Sequence, residues 1–148
     1  MDSHAVHLGV RMIHVLAATV LVGGSFGLAL AGWSAPTAQR GAIFVATAAR
    51  YEVVFWLTFA AIVATGVGNL GVFGEVLRGP ETEWGRTLTL KLALVFALAL
   101  TSAVRALVVI RLRDLGAAYD TAALAKWYGS TAALTAAIVC AAVWLAHG

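Results

Sequence analysis

Residues 87–110 read TLTLKLALVFALALTSAVRALVVI, with Lys91 and Arg105 as the only charges in 24 positions. As a helix rising 1.5 Å per residue, this stretch reaches about 36 Å, more than the ~30 Å of a bilayer's hydrocarbon layer. Its flanks are those of a membrane span. It begins near Arg86, just after Trp84-Gly85, and ends at Arg111-Leu112-Arg113-Asp114. Working outward, three more stretches are long and apolar enough. One runs from about Val6 to Trp33 and stops at Ser34-Ala35-Pro36. Another runs from about Phe44 (or from Tyr51, if Arg50 marks the surface) to Phe73, and the last from about Lys126 to Ala146. Backbone in lipid must satisfy its own hydrogen bonds. The sequence therefore predicts an all-α fold: one domain over 1–148, an integral membrane four-helix bundle running up-down-up-down, with helices at about 6–33, 44–73, 86–112 and 126–146.

Composition agrees. Of 148 residues, 61% are hydrophobic and 11% charged, with a mean hydropathy of +0.91. A typical globular domain has roughly 45–50% apolar and about 25% charged residues. Two prolines and one cysteine exclude a collagen-like or disulfide scaffold. The formal charge of +3, with no basic run, argues against a nucleic-acid partner. The first apolar segment is too long for a cleaved signal peptide, and its charges are poorly placed, so it is read as a retained helix.

Loop charges give an orientation. Side A holds both termini and the 74–85 loop, where Arg78 and Arg86 accompany Glu75, Glu81 and Glu83. Side B carries Arg40, Arg50, Arg111, Arg113 and Lys126. The positive-inside rule then puts side B in the cytoplasm and both termini outside the cell membrane. Trp33, Trp84 and Trp127 fall near helix ends, as interfacial anchors do.

Polar residues inside the spans are the candidates for function, because a membrane tolerates few without a reason. At 100° per residue, His4, His7 and His14 share one face of the first helix if it begins as early as Ser3, and Arg11 lies nearer that face than the opposite one. His147 returns to side A at the end of the last helix. His4, His7, His14 and His147 are thus candidate metal ligands, imidazole being a general ligand for copper, zinc and iron. A solvated terminus explains His4, His7 and His147 as well, whereas His14 lies about two turns inside its segment.

Lys91 enters the third span to a depth near that of His14, counted from the same side. Its stem can snorkel to water. Alternatively it faces the bundle and binds an anion such as a haem propionate. Glu52 and Arg105 lie a few residues inside the side B ends of antiparallel neighbours, so an ion pair fixing helix register is expected. Gly23-x-x-x-Gly27 predicts close helix approach, and Thr65-Gly66-Val67-Gly68-Asn69 a second small-residue patch. Cys140 stands alone, and no thiol-redox, haem-attachment, phosphate-loop or nucleophile motif appears. With Met1 and Met12 the only methionines, no methionine-lined copper path is visible.

Ile13-His14-Val15-Leu16-Ala17-Ala18 followed by Val22-Gly23-Gly24 resembles the opening helix of the copper resistance protein D (CopD) membrane domain. Thr65-Gly66, Trp84-Gly85-Arg86-Thr87-Leu88 and Leu90-Lys91-Leu92-Ala93-Leu94-Val95 resemble its next two signatures. The resemblance covers roughly Arg11 to Arg113. It implies copper handling or transport at a bacterial inner membrane, beside a periplasmic copper-binding partner, with His14 and Lys91 at the matched positions. The histidine-then-lysine arrangement is also similar to HemJ-type membrane proteins, which bind haem b and act on protoporphyrinogen. The chain departs from CopD proteins in lacking their additional helices and methionine-rich stretches, so transport by four helices calls for a homo-oligomer.

Three readings follow. In the first, His4, His7 and His14 form an extracytoplasmic copper site. In the second, a b-type haem redox protein working with a redox partner, His14 or His7 is an axial ligand and Lys91 or Arg11 neutralises propionates. In the third, the chain is a cofactor-free scaffold subunit. Only His147 lies outside the first helix, which argues against bis-histidine haem within one subunit.

Overall fold

A computed structural model describes residues 3–35, 38–72, 79, 81–115 and 121–147. Four helices account for nearly all of them: α1 (Ser3–Trp33), α2 (Ala38–Val72), α3 (Glu83–Leu115) and α4 (Thr121–His147). Each is long and apolar enough to cross a membrane. α1 packs against α2 and α4, and α3 closes the ring by touching the same two, so every neighbour in the ring runs antiparallel. The α2–α3 seam is the sparsest. This is an all-α membrane bundle, as the sequence predicts.

The helices overrun the apolar stretches, most clearly at side B. α2 begins at Ala38, well before Phe44, and α4 at Thr121, before Lys126. Hydropathy marks where lipid can lie, whereas backbone hydrogen bonding continues into the polar zone wherever no proline stops it. Capping fixes the starts of α3 and α4. Thr82 Oγ1 accepts from the Gly85 amide at 3.0 Å and donates to the Gly79 carbonyl at 2.8 Å, a hydroxyl N-cap. The Thr121 hydroxyl donates to the Ala35 carbonyl at 3.3 Å, tying the start of α4 to the end of α1.

Burial is inverted relative to a water-soluble bundle. Leu57, Leu107 and Trp144 stand 64–75% exposed, while Glu52 and Arg105 are buried. Burial is also lopsided. From Ala17, Phe55, Leu98 and Thr135 toward side B, every helix contributes fully buried residues. Toward side A from those positions, Gly85 alone is buried among the described residues. One packed cluster, including Leu28, Phe44, Val45, Ala48, Val109, Leu124 and Tyr128, fills the side B end. A second, Leu21, Phe55 and Leu98, sits where the packing stops. Exposed Arg50, Arg111, Arg113 and Lys126 decorate the side B end.

Within the small-residue patch of α1, close approach falls on Gly24 and not on the Gly23-x-x-x-Gly27 pair. Gly23 and Gly27 face outward, and a Cβ on either would meet nothing within 4 Å. Gly24 instead lies under the Tyr51 ring, which a Cβ would strike, and Gly32 lies against Phe44 and Ala125. A small-xxx-small spacing identifies a smooth ridge but not the side of the helix that meets a partner. One residue of offset, 100° of rotation, moves the contact from Gly23 to Gly24.

Candidate functional site

Two polar constellations occupy the interior. The larger is a clasp assembled from three helices. Arg105 on α3, fully buried, donates from Nε to Glu52 Oε1 at 2.7 Å and from Nη2 to Oε2 at 3.2 Å, a two-pronged grip on the α2 carboxylate. Its Nη1 donates to Thr131 Oγ1 on α4 at 2.5 Å, and the Tyr128 hydroxyl donates to Glu52 Oε1 at 2.7 Å. The guanidinium lies against two ring faces, 4.4 Å from the Phe55 centroid and 4.7 Å from that of Tyr128. The predicted Glu52–Arg105 pair therefore forms, with two aromatic walls and two hydroxyls that the sequence reading did not assign. α1 joins through Tyr51, whose hydroxyl donates to the Leu21 carbonyl at 3.1 Å and shares a 3.0 Å bond with Ser25 Oγ. Ser102, one turn before Arg105, is buried with no hydrogen-bond partner for its hydroxyl among the described residues.

The smaller constellation lies toward side A, where the bundle is loose. His14 on α1 is partly buried, and its Nδ1 is 2.8 Å from Thr65 Oγ1 on α2. The direction of this bond follows from proton bookkeeping. A hydroxyl has one proton, and that of Thr65 is directed to its own helix, at the Ala61 carbonyl (2.7 Å) and the Ile62 carbonyl (3.1 Å). Thr65 Oγ1 therefore accepts from His14 Nδ1–H, and in the neutral ring the lone pair falls on Nε2. The ring lies against Gly66, where even a methyl group would come within 3.7 Å of Cε1.

Lys91 lies across the bundle from His14. α1 and α3 both run from side A to side B, and Leu21 and Leu98 meet in one cluster. His14 precedes Leu21, and Lys91 precedes Leu98, by seven residues. That is two turns less 20°, about 10.5 Å along each axis. The two side chains therefore share a height and face inward. No hydrogen bond or ion pair engages the ammonium among the described residues.

The remaining candidates do not converge on this point. His7 and Arg11 are exposed, so neither closes over His14. Arg11 stands exposed one turn from His14, with no contact to it among the described residues. His4 and His147 belong to α1 and α4, but their side chains lie outside the described residues. Among the described residues, no three His, Cys, Asp or Glu side chains are grouped to hold a metal ion. Cys140 is exposed on α4.

Four apolar helices around a charged interior define a polytopic membrane protein. The pattern of the family "Copper resistance protein D" matches residues 45–145, more than half of the chain, and the chain belongs to that family. The match includes Glu52, Thr65, Lys91, Arg105 and Tyr128 but begins after α1, so His14 lies outside it. No curated protein and no solved structure matches the chain. This is accordingly a copper-related integral membrane protein.

Proposed function

We propose that the chain handles copper as cargo, taking it up at His14 from side A and passing it toward the clasp. The observation that carries this reading is the His14–Thr65 hydrogen bond. It holds the ring in the tautomer whose Nε2 lone pair is free for a metal, the arrangement that outer-shell partners impose on ligating histidines. Imidazole suits copper in either oxidation state. The lopsided packing supports the direction: a loose half at side A admits a cargo, and a dry, clasped half at side B retains it. Loop charges support a side A that lies outside the cytoplasm, where an extracytoplasmic copper-binding protein would be the donor. A single four-helix chain offers a narrow path, so movement across the membrane would use a homo-oligomer.

Purification in detergent, metal analysis and absorption spectra with and without dithionite test the reading. Copper bound near one equivalent in the wild type and lost in His14→Ala is the expected result. Copper retained undiminished in His14→Ala would overturn the assigned site. A Soret band with sharp reduced bands would replace copper with haem as the bound species.

A further inference from the structure

Accepting that His14 is the copper ligand, we infer that copper reaches this site carrying an anionic donor atom, which Lys91 recognises, and not as a bare cation. Three observations converge. His14 offers one nitrogen, and no group of three or more His, Cys, Asp or Glu side chains surrounds it among the described residues. Copper held there needs further ligands, and a complex that carries its own supplies them. Secondly, the charge that faces His14 at that height, among the described residues, is positive. Lys91, seven residues above Leu98 on the inward stripe of α3, faces His14, seven residues above Leu21 on α1. A bare cuprous or cupric ion on Nε2 would meet like charge, in surroundings that screen less than water. An anion on the metal, lying between Nε2 and Nζ, turns that repulsion into attraction. Thirdly, Lys91 is partly buried and has no hydrogen-bond or ion-pair partner among the described residues, so its ammonium is open to an incoming anion.

The type of cation narrows the anion. A planar carboxylate or phosphate is matched by the two-pronged guanidinium fork, which this protein uses at Glu52. Lysine presents a compact point charge, suited to a single-atom donor such as a halide or a thiolate. Both are also good ligands for cuprous copper. The substrate class is therefore a small cuprous complex bearing a halide or thiolate. Binding is ligand exchange alone: Nε2 replaces one weak ligand of the complex, with no change of oxidation state.

The test measures cuprous affinity by competition against a chromophoric chelator, using detergent-solubilised wild type, Lys91→Met, Lys91→Arg and His14→Ala. Copper is supplied as its acetonitrile complex in sodium perchlorate, in sodium chloride, or in perchlorate with 2-mercaptoethanol, at equal ionic strength, with affinities corrected for complexation in solution. The wild type should bind about tenfold or more tightly with chloride or thiol than in perchlorate. Whichever anion gives the gain identifies the donor atom. Lys91→Met should lose that gain and bind more tightly than wild type in perchlorate, whereas Lys91→Arg should keep part of it. Copper X-ray absorption should show the chlorine or added sulfur neighbour in wild type and lose it in Lys91→Met. Equal wild-type affinity in all three media, or a full anion gain in Lys91→Met, would overturn the inference. His14→Ala separates the two failures: unchanged copper binding there removes the site itself, while loss of binding there with no anion gain in wild type removes only the anion.

Discussion

Arg105 and Glu52 meet through two parallel hydrogen bonds, at 2.7 and 3.2 Å, with the guanidinium wholly shielded from solvent. Their helices share the sparsest seam in the ring. The pair therefore joins α2 to α3 where side-chain packing does least. Removing one partner of a buried ion pair leaves the other charge uncompensated and costs about 3–5 kcal/mol, whereas replacing both with apolar residues of similar volume is often neutral. Glu52→Gln and Arg105→Met should each lower the unfolding free energy in mixed micelles by about that amount. The double variant Glu52→Leu/Arg105→Met should recover most of the loss. Simple addition of the two losses would show that the groups act independently.

Thr65 should set copper affinity without touching copper. Loss of an outer-shell partner typically weakens metal binding about 10–100-fold. Thr65→Val keeps the side-chain shape and removes the acceptor for His14 Nδ1–H, so its cuprous affinity should fall within that range. Thr65→Ser keeps the hydroxyl and should remain near wild type. Equal binding by all three proteins in a chelator competition would dissociate Thr65 from the site.

Adjacent glycines should respond in opposite ways. Gly24→Ala drives a methyl group into the Tyr51 ring and should destabilise the bundle by about 1–3 kcal/mol, the usual cost of overpacking. Gly23→Ala and Gly27→Ala add a methyl group to open space and should fall within about 0.5 kcal/mol of wild type or better. Thermal inactivation in detergent reads the difference. A larger loss at Gly23 or Gly27 than at Gly24 would refute the assigned helix face.

Ser102 buries a hydroxyl that nothing among the described residues satisfies. Burying such a group costs about 1–3 kcal/mol, so Ser102→Ala should raise stability, and the shift should appear in a melting curve. A loss of more than about 1 kcal/mol would mean that the hydroxyl has a partner, such as an ordered water.

The spans and the Glu52–Arg105 pair were legible because their signals are cumulative or costly. Twenty apolar residues in a row admit few readings, and two opposite charges at matched depths in neighbouring helices have little choice but each other. Thr65, Thr131 and Tyr128 left no such signal. A threonine in a membrane helix can satisfy its hydroxyl on its own backbone, as Thr65 does at Ala61 and Thr131 at Trp127, so nothing in the sequence marks the two that also serve another residue. The reach of the histidine face is hidden for a related reason. Angular periodicity puts His7 and His14 on one face but does not say how far the bundle extends, and His7 lies beyond the end of the packed part. The CopD resemblance runs from roughly Arg11 to Arg113, whereas the family pattern covers residues 45–145. The histidine therefore stands on its own geometry.

The confinement of tight packing to one end gives the four helices the mechanics of tongs. The two ends are held unequally: buried packing and the Glu52–Arg105 pair fasten side B, while the His14–Thr65 hydrogen bond bridges side A.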